Sequence, residues 1–161
     1  MADIKVAFAT STALTISLGS LASSTNAGRE STAVDNTSNK YLDALVQVKI
    51  VLQTGTPSVD KSVYVYAYGS EDGSMYTDNA TGSDAAITFR VPTAMVMIGA
   101  IPCPDAGGVT YESQPMSVAM AFGGYLPRKW GLAIRNYTGV TFSTTGGDHS
   151  ATFTGIYYTS V

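Results

Sequence analysis

One cysteine, one histidine and a scatter of carboxylates are the residues of this 161-residue chain that could do chemistry. Thiol chemistry would need Cys103 beside a histidine and a positive environment that holds the thiolate. Cys103 lies in Ile101-Pro102-Cys103-Pro104, and the sole histidine, His149, follows Gly146-Gly147-Asp148 in a turn. Cys103 therefore reads as a small hydrophobe at a strand end, and His149 as a turn residue. A single thiol makes no internal disulfide, and CxxC metal spacings are absent. Asp72, Asp78, Asn79 and Asp84 stand in a loop with Gly73, Gly82 and Ser83, an oxygen-rich set of the kind that can hold Ca2+. Their spacing does not follow the EF-hand, and turn propensity alone accounts for the composition. The expectation is no cofactor, no metal and no catalytic site, because an enzyme needs titratable groups converging on a pocket. Asn36, Asn79 and Asn136 each begin an Asn-X-Ser/Thr triplet, which matters only with an export signal.

The elements that would position these residues are strands. Apolar and polar residues alternate in 13–18, 45–52, 63–68, 87–91, 95–101, 116–122, 130–136 and 151–158, and β-branched and aromatic residues crowd the runs. Gly-, Asp- and Asn-rich turns separate them. Residues 41–45 could form one helical turn before their strand, or the strand could start there. About eight strands with almost no helical period predict an all-β, antiparallel sandwich of jelly-roll type. Residues 13–18 could be mistaken for an export signal, but Thr15 and Ser17 interrupt the apolar run and Asp3 weakens a positive start.

Segment 19–40 stands apart: long, polar and rich in Ser, Thr and Asn. A structureless stretch of this length needs a job. It reads either as a linker or as an extended arm that lies on a neighbouring subunit, with Arg29, Glu30, Asp35 and Asn36 to fix it. Arg29 offers a planar fork for carboxylate or backbone pairing. The division expected is 1–40 for N-terminal strands and arm, and 41–161 for the sandwich. Strand 4–9 could also add to a neighbour's sheet edge.

Charged residues make up only 13% of the chain, about half the usual share. The net charge of -3, without a basic run, argues against a nucleic-acid groove. No stretch is long and apolar enough to span a membrane. Tyr64, Tyr66 and Tyr68 share one strand face, and with Trp130 they could form an aromatic contact surface for protein or sugar; cross-strand packing is the plainer reading.

Gly28-Arg29-Glu30-Ser31-Thr32-Ala33-Val34-Asp35-Asn36 with Tyr41-Leu42-Asp43-Ala44-Leu45, Val65-Tyr66-Ala67-Tyr68-Gly69-Ser70-Glu71-Asp72-Gly73, and Leu126-Pro127-Arg128-Lys129-Trp130-Gly131 with Arg135-Asn136-Tyr137-Thr138-Gly139 resemble a group of tailed-bacteriophage virion proteins. The likeness runs from about Leu14 onward, and its motifs carry no catalytic content. It implies a small jelly-roll-like sandwich on the outer surface of the virion, acting as a capsid cement or decoration subunit. Its partners would be the major capsid protein and other virion proteins, and it would be a homo-oligomer. A trimer suits local threefold positions, although the sequence shows no symmetry. Neck, collar and tail roles are alternatives that the same words allow; two rivals stand beside them, a receptor- or carbohydrate-binding tip in which Trp130 and the Tyr faces contact glycans, and a hydrolase of surface polymers with two carboxylates in a cleft.

Overall fold

A computed structural model describes residues 3–160. Twelve strands form two antiparallel sheets. They are β1 (Ile4–Phe8), β2 (Thr12–Ala13), β3 (Ala27–Glu30), β4 (Val34–Asp35), β5 (Asp43–Val51), β6 (Ser62–Ser70), β7 (Ala85–Thr88), β8 (Val96–Pro102), β9 (Thr110–Glu112), β10 (Met116–Ser117), β11 (Lys129–Tyr137) and β12 (Ser150–Ser160). The first sheet runs β1-β12-β5-β10, with β2 also on β12 and β9 also on β5. The second runs β7-β3-β11-β6-β8, with β4 also on β11. Where two short strands pair with one long neighbour they act as a single broken strand. Eight principal strands then remain, plus β7 at an edge. Numbered in chain order, their sheets read 1-8-3-6 and 2-7-4-5, which is the jelly-roll order.

Alternation along each strand explains the layers. Ala44, Val46, Val48 and Ile50 of β5 point inward and meet Val63, Val65, Ala67, Leu132 and Ile134 of the second sheet in the core between the sheets. Trp130 is fully buried there, its ring edge-on to Phe153 at 5.3 Å between centroids. A second, smaller core lies on the outer face of the second sheet. Tyr66, Tyr68 and Ala133 are covered by Ile87, Phe89 and Met95 from the connection between β6 and β8. Gly131 faces Tyr68 across the ladder, and a Cβ there would stand 2.4 Å from the tyrosine ring. The ring fills that space, and its hydroxyl donates to the Ser31 carbonyl at 2.5 Å.

Two expectations change. The alternating run 13–18 is a strand only at its start. Beyond Ala13 the chain crosses from one sheet to the other, burying Leu14 and Leu18 at the sandwich margin. Alternation there records burial without a ladder. Residues 116–122 start as β10 and turn into a short 3-10 helix, Ala119–Phe122. Asp43 holds that turn, accepting from the Ala119 N–H at 2.8 Å and the Ser117 hydroxyl at 2.7 Å, and Gly123 closes it in the left-handed conformation. Of the two readings of residues 41–45, the strand start is the one observed: β5 begins at Asp43.

Candidate interaction surface

The residues read as a polar arm are built into the second sheet. β3 lies between β7 and β11, so Arg29 and Glu30 are ladder residues with partners on both sides. Arg29 Nε pairs with Asp84 Oδ1 at 2.6 Å, and an Arg29 terminal N–H donates to the Asp84 carbonyl at 2.9 Å. The same carboxylate accepts from the Ser17 N–H at 3.0 Å and from its hydroxyl. Burial works against the Asp84 charge. The Arg29 and Ser17 hydrogen bonds outweigh it and hold the carboxyl below its ordinary value. Glu30 is fully buried and accepts from the Thr81 N–H and hydroxyl, at 2.9 and 2.8 Å. Asn36 closes the turn before β5 through both backbone groups of Tyr41. Asp35 caps Thr37 and stands 3.9 Å from Lys129. Arg29, Glu30 and Asn36 thus serve this chain's own fold. Composition misled because hydroxyl and amide side chains suit intramolecular turns as well as they suit a loose linker.

The aromatic contact surface is corrected in the same way. Tyr68 and Trp130 are fully buried and Tyr66 nearly so. Tyr64 is half-buried beneath the Arg135 guanidinium, 4.9 Å from its ring centroid. The tyrosines do share a face, but the chain covers it itself. Burial, then the nearby Glu30 charge, push the Tyr68 hydroxyl far above its ordinary range.

The residues singled out for chemistry are also engaged. Cys103 is fully buried, and burial pushes its thiol up to about 12. His149 stacks on Phe142, accepts the Val51 N–H on Nδ1 at 3.3 Å and places Nε2 3.1 Å from the Ser143 carbonyl. Asp72 is held well below its ordinary value by the Met75 and Ser74 N–H groups and the Ser70 hydroxyl. Asp78 accepts from Thr93 and Ala94, and Asn79 bridges Thr88 and Arg90. Among the described residues, no three His, Cys, Asp or Glu side chains gather closely enough to hold a metal.

What the molecule exposes lies elsewhere. Eight of the twelve exposed large hydrophobics among the described residues are Ile4, Val6, Phe8, Leu42, Met75, Met120, Tyr125 and Tyr158. They belong to β1, β12 and the connections that meet at one end of the sandwich. Backbone bonds tie that end together, Leu126 N–H to the Leu42 carbonyl and Leu42 N–H to the Ile156 carbonyl. β12 leaves β5 at the Ile156–Asp43 pair and continues beside β1 to the Ser160–Ile4 pair, so the two run on as a ribbon. On its outer face Val6 stands opposite Tyr158, and Phe8 opposite Ile156. Ile4, Val6, Phe8 and Tyr158 are 75, 57, 62 and 63% exposed. Beside the ribbon two clefts of about 540 and 460 Å3 adjoin at Glu71, Tyr125 and Pro127. Lys40 and Arg128 line the larger one.

Sequence reasoning marked residues 4–9 as an exposed strand able to add to a neighbour's sheet edge. It missed Tyr125, Met75 and Met120, because single apolar residues in Gly-rich turns carry no period. No protein-family model, no curated protein and no solved structure matches this chain.

Proposed function

We propose that this protein is a non-enzymatic structural subunit of a tailed-bacteriophage virion, a cement or decoration protein on the outer capsid surface. The observation that carries the reading is the concentration of exposed apolar side chains at one end of a charge-poor sandwich. Isolated surface hydrophobics are ordinary, whereas a contiguous set marks a surface that another protein covers. The resemblance of the motifs around Arg29, Tyr66 and Trp130 to virion proteins supports the setting. In this reading the ribbon and the Tyr125 end sit on the major capsid protein. Repetition over a closed lattice supplies avidity, and binding only the assembled shell stabilises it by mass action.

Particles lacking the protein provide the test. Added wild-type protein is expected to coat them and raise their resistance to heat. Tyr125→Asp and Phe8→Asp variants are expected to fold but to lose occupancy. Wild-type protein that leaves such particles bare would refute the reading. The exposed Tyr125 ring beside Glu71, Lys40 and Arg128 favours one second reading, a glycan-binding tip, since sugars stack on aromatic faces flanked by polar groups. A glycan array probed with the isolated protein separates the two.

A further inference from the structure

We infer that two copies pair antiparallel through β1 about a two-fold axis at Val6. In the described structure β1 pairs with β12 alone, at the end of its sheet. The Ala9 N–H donates to the Gly155 carbonyl at 2.8 Å. With the register Phe8 to Ile156, the alternation of an antiparallel ladder turns the N–H and C=O groups of Ala7 and Lys5 toward β12. Those of Ile4, Val6 and Phe8 turn to the open side. Such edges are normally guarded by proline, a bulge or inward charges. Of these guards β1 carries one charge, Lys5; it has no proline, its pairing carries no register shift, and the residues whose backbone is free are Ile, Val and Phe.

Register follows from hydrogen bonds and charge together. Only pairings of even-numbered residues with one another satisfy the free groups. Centring on Val6 sets Ile4 against the second copy's Phe8 and Val6 against its counterpart, so every free group of the strand is used. The same register sets Lys5 against Ala7. A shift centred on Lys5 would oppose two ammonium groups directly, which is unfavourable, and a shift centred on Ala7 would leave Ile4 unpaired. The apolar outer rows of the two ribbons then join, with Ile4 packing on Phe8 across the axis. A strand edge alone is smaller than the ~1,000 Å2 of stable interfaces, so the dimer is weak. This pairing needs nothing from the virion assignment.

Sedimentation of the full chain reads the association directly. The mass is expected to move from 16.8 kDa toward twice that value as concentration rises to about 1 mM. Val6→Pro removes an N–H that faces only the open side, so it is expected to leave the fold intact and abolish the dimer. Val6→Asp and Val6→Lys are each expected to be monomeric, and an equimolar mixture of the two to recover dimer, because residue 6 faces residue 6. Fluorescence of the sole tryptophan, Trp130, checks folding of each variant. A monomer at every concentration, a trimer, a dimer indifferent to Val6→Pro, or a mixture that stays monomeric would each overturn the inference.

Discussion

Arg29 and Asp84 show how a surface-looking charge can belong to the fold. Their pair joins β3 to the start of β7 and, through Ser17, to the segment crossing between the sheets. Arg29→Ala is expected to lower unfolding free energy by about 1.5–3 kcal/mol, the range for hydrogen bonds to charged groups, measured by urea titration. The pH dependence has a definite sign. The Asp84 carboxyl is depressed below its ordinary value of 3.8, so its contribution is complete above that value and is lost as pH falls through the lower, folded value. Asp84→Asn should flatten the acid limb of a stability-against-pH curve; an unchanged limb would place the acid sensitivity elsewhere. Cys103 gives a second check. Its buried, raised thiol is expected to resist a thiol reagent in the native protein and to react once denaturant is added. Trp130 gives a third. Trp130→Ala should cost about 3–5 kcal/mol by leaving a core cavity. Trp130→Phe should cost less, since among the described residues no protein group bonds the indole N–H.

At the level of elements, the N-terminal quarter of the chain divides differently from its composition. β1 lies outside the inter-sheet core, whereas Leu14 and Leu18 are in it and β3 is interior to its sheet. Removing residues 1–10 is therefore expected to leave a cooperatively folding sandwich. Removing 1–40 is expected to abolish folding, because β11 and β7 would lose the strand between them. Circular dichroism melts of the two truncations decide this. A folded protein lacking 1–40 would restore the picture of a detachable arm. The connection from β6 to β8 deserves the name of a third layer: by burying Tyr66 and Tyr68 it leaves the second sheet's outer face covered and the first sheet's edge and end exposed.

For the whole molecule, that asymmetry is what the proposed docking role rests on. Charge is scarce throughout, yet one face has been closed by the chain itself, and most of the large apolar side chains left outside among the described residues gather around the β1–β12 ribbon and Tyr125. The proposed docking to a capsid and the inferred pairing of two copies share this region. Val6→Pro separates them: it should abolish association in solution while Tyr125→Asp chiefly lowers occupancy on particles.

The alternation of apolar residues was enough, by itself, to establish a two-layered all-β fold, because a period of two places successive side chains on opposite faces whatever the topology. It located β5, β6, β11 and β12 within a few residues. It could not say which alternating face is covered, and so left open whether Tyr64, Tyr66, Tyr68 and Trp130 face a partner or the core. Nor could it tell a polar linker from a polar strand at Arg29 and Glu30. Those answers depend on contacts between residues far apart in the chain, Asp84 on Arg29 and Thr81 on Glu30, and only the folded arrangement brings such pairs together.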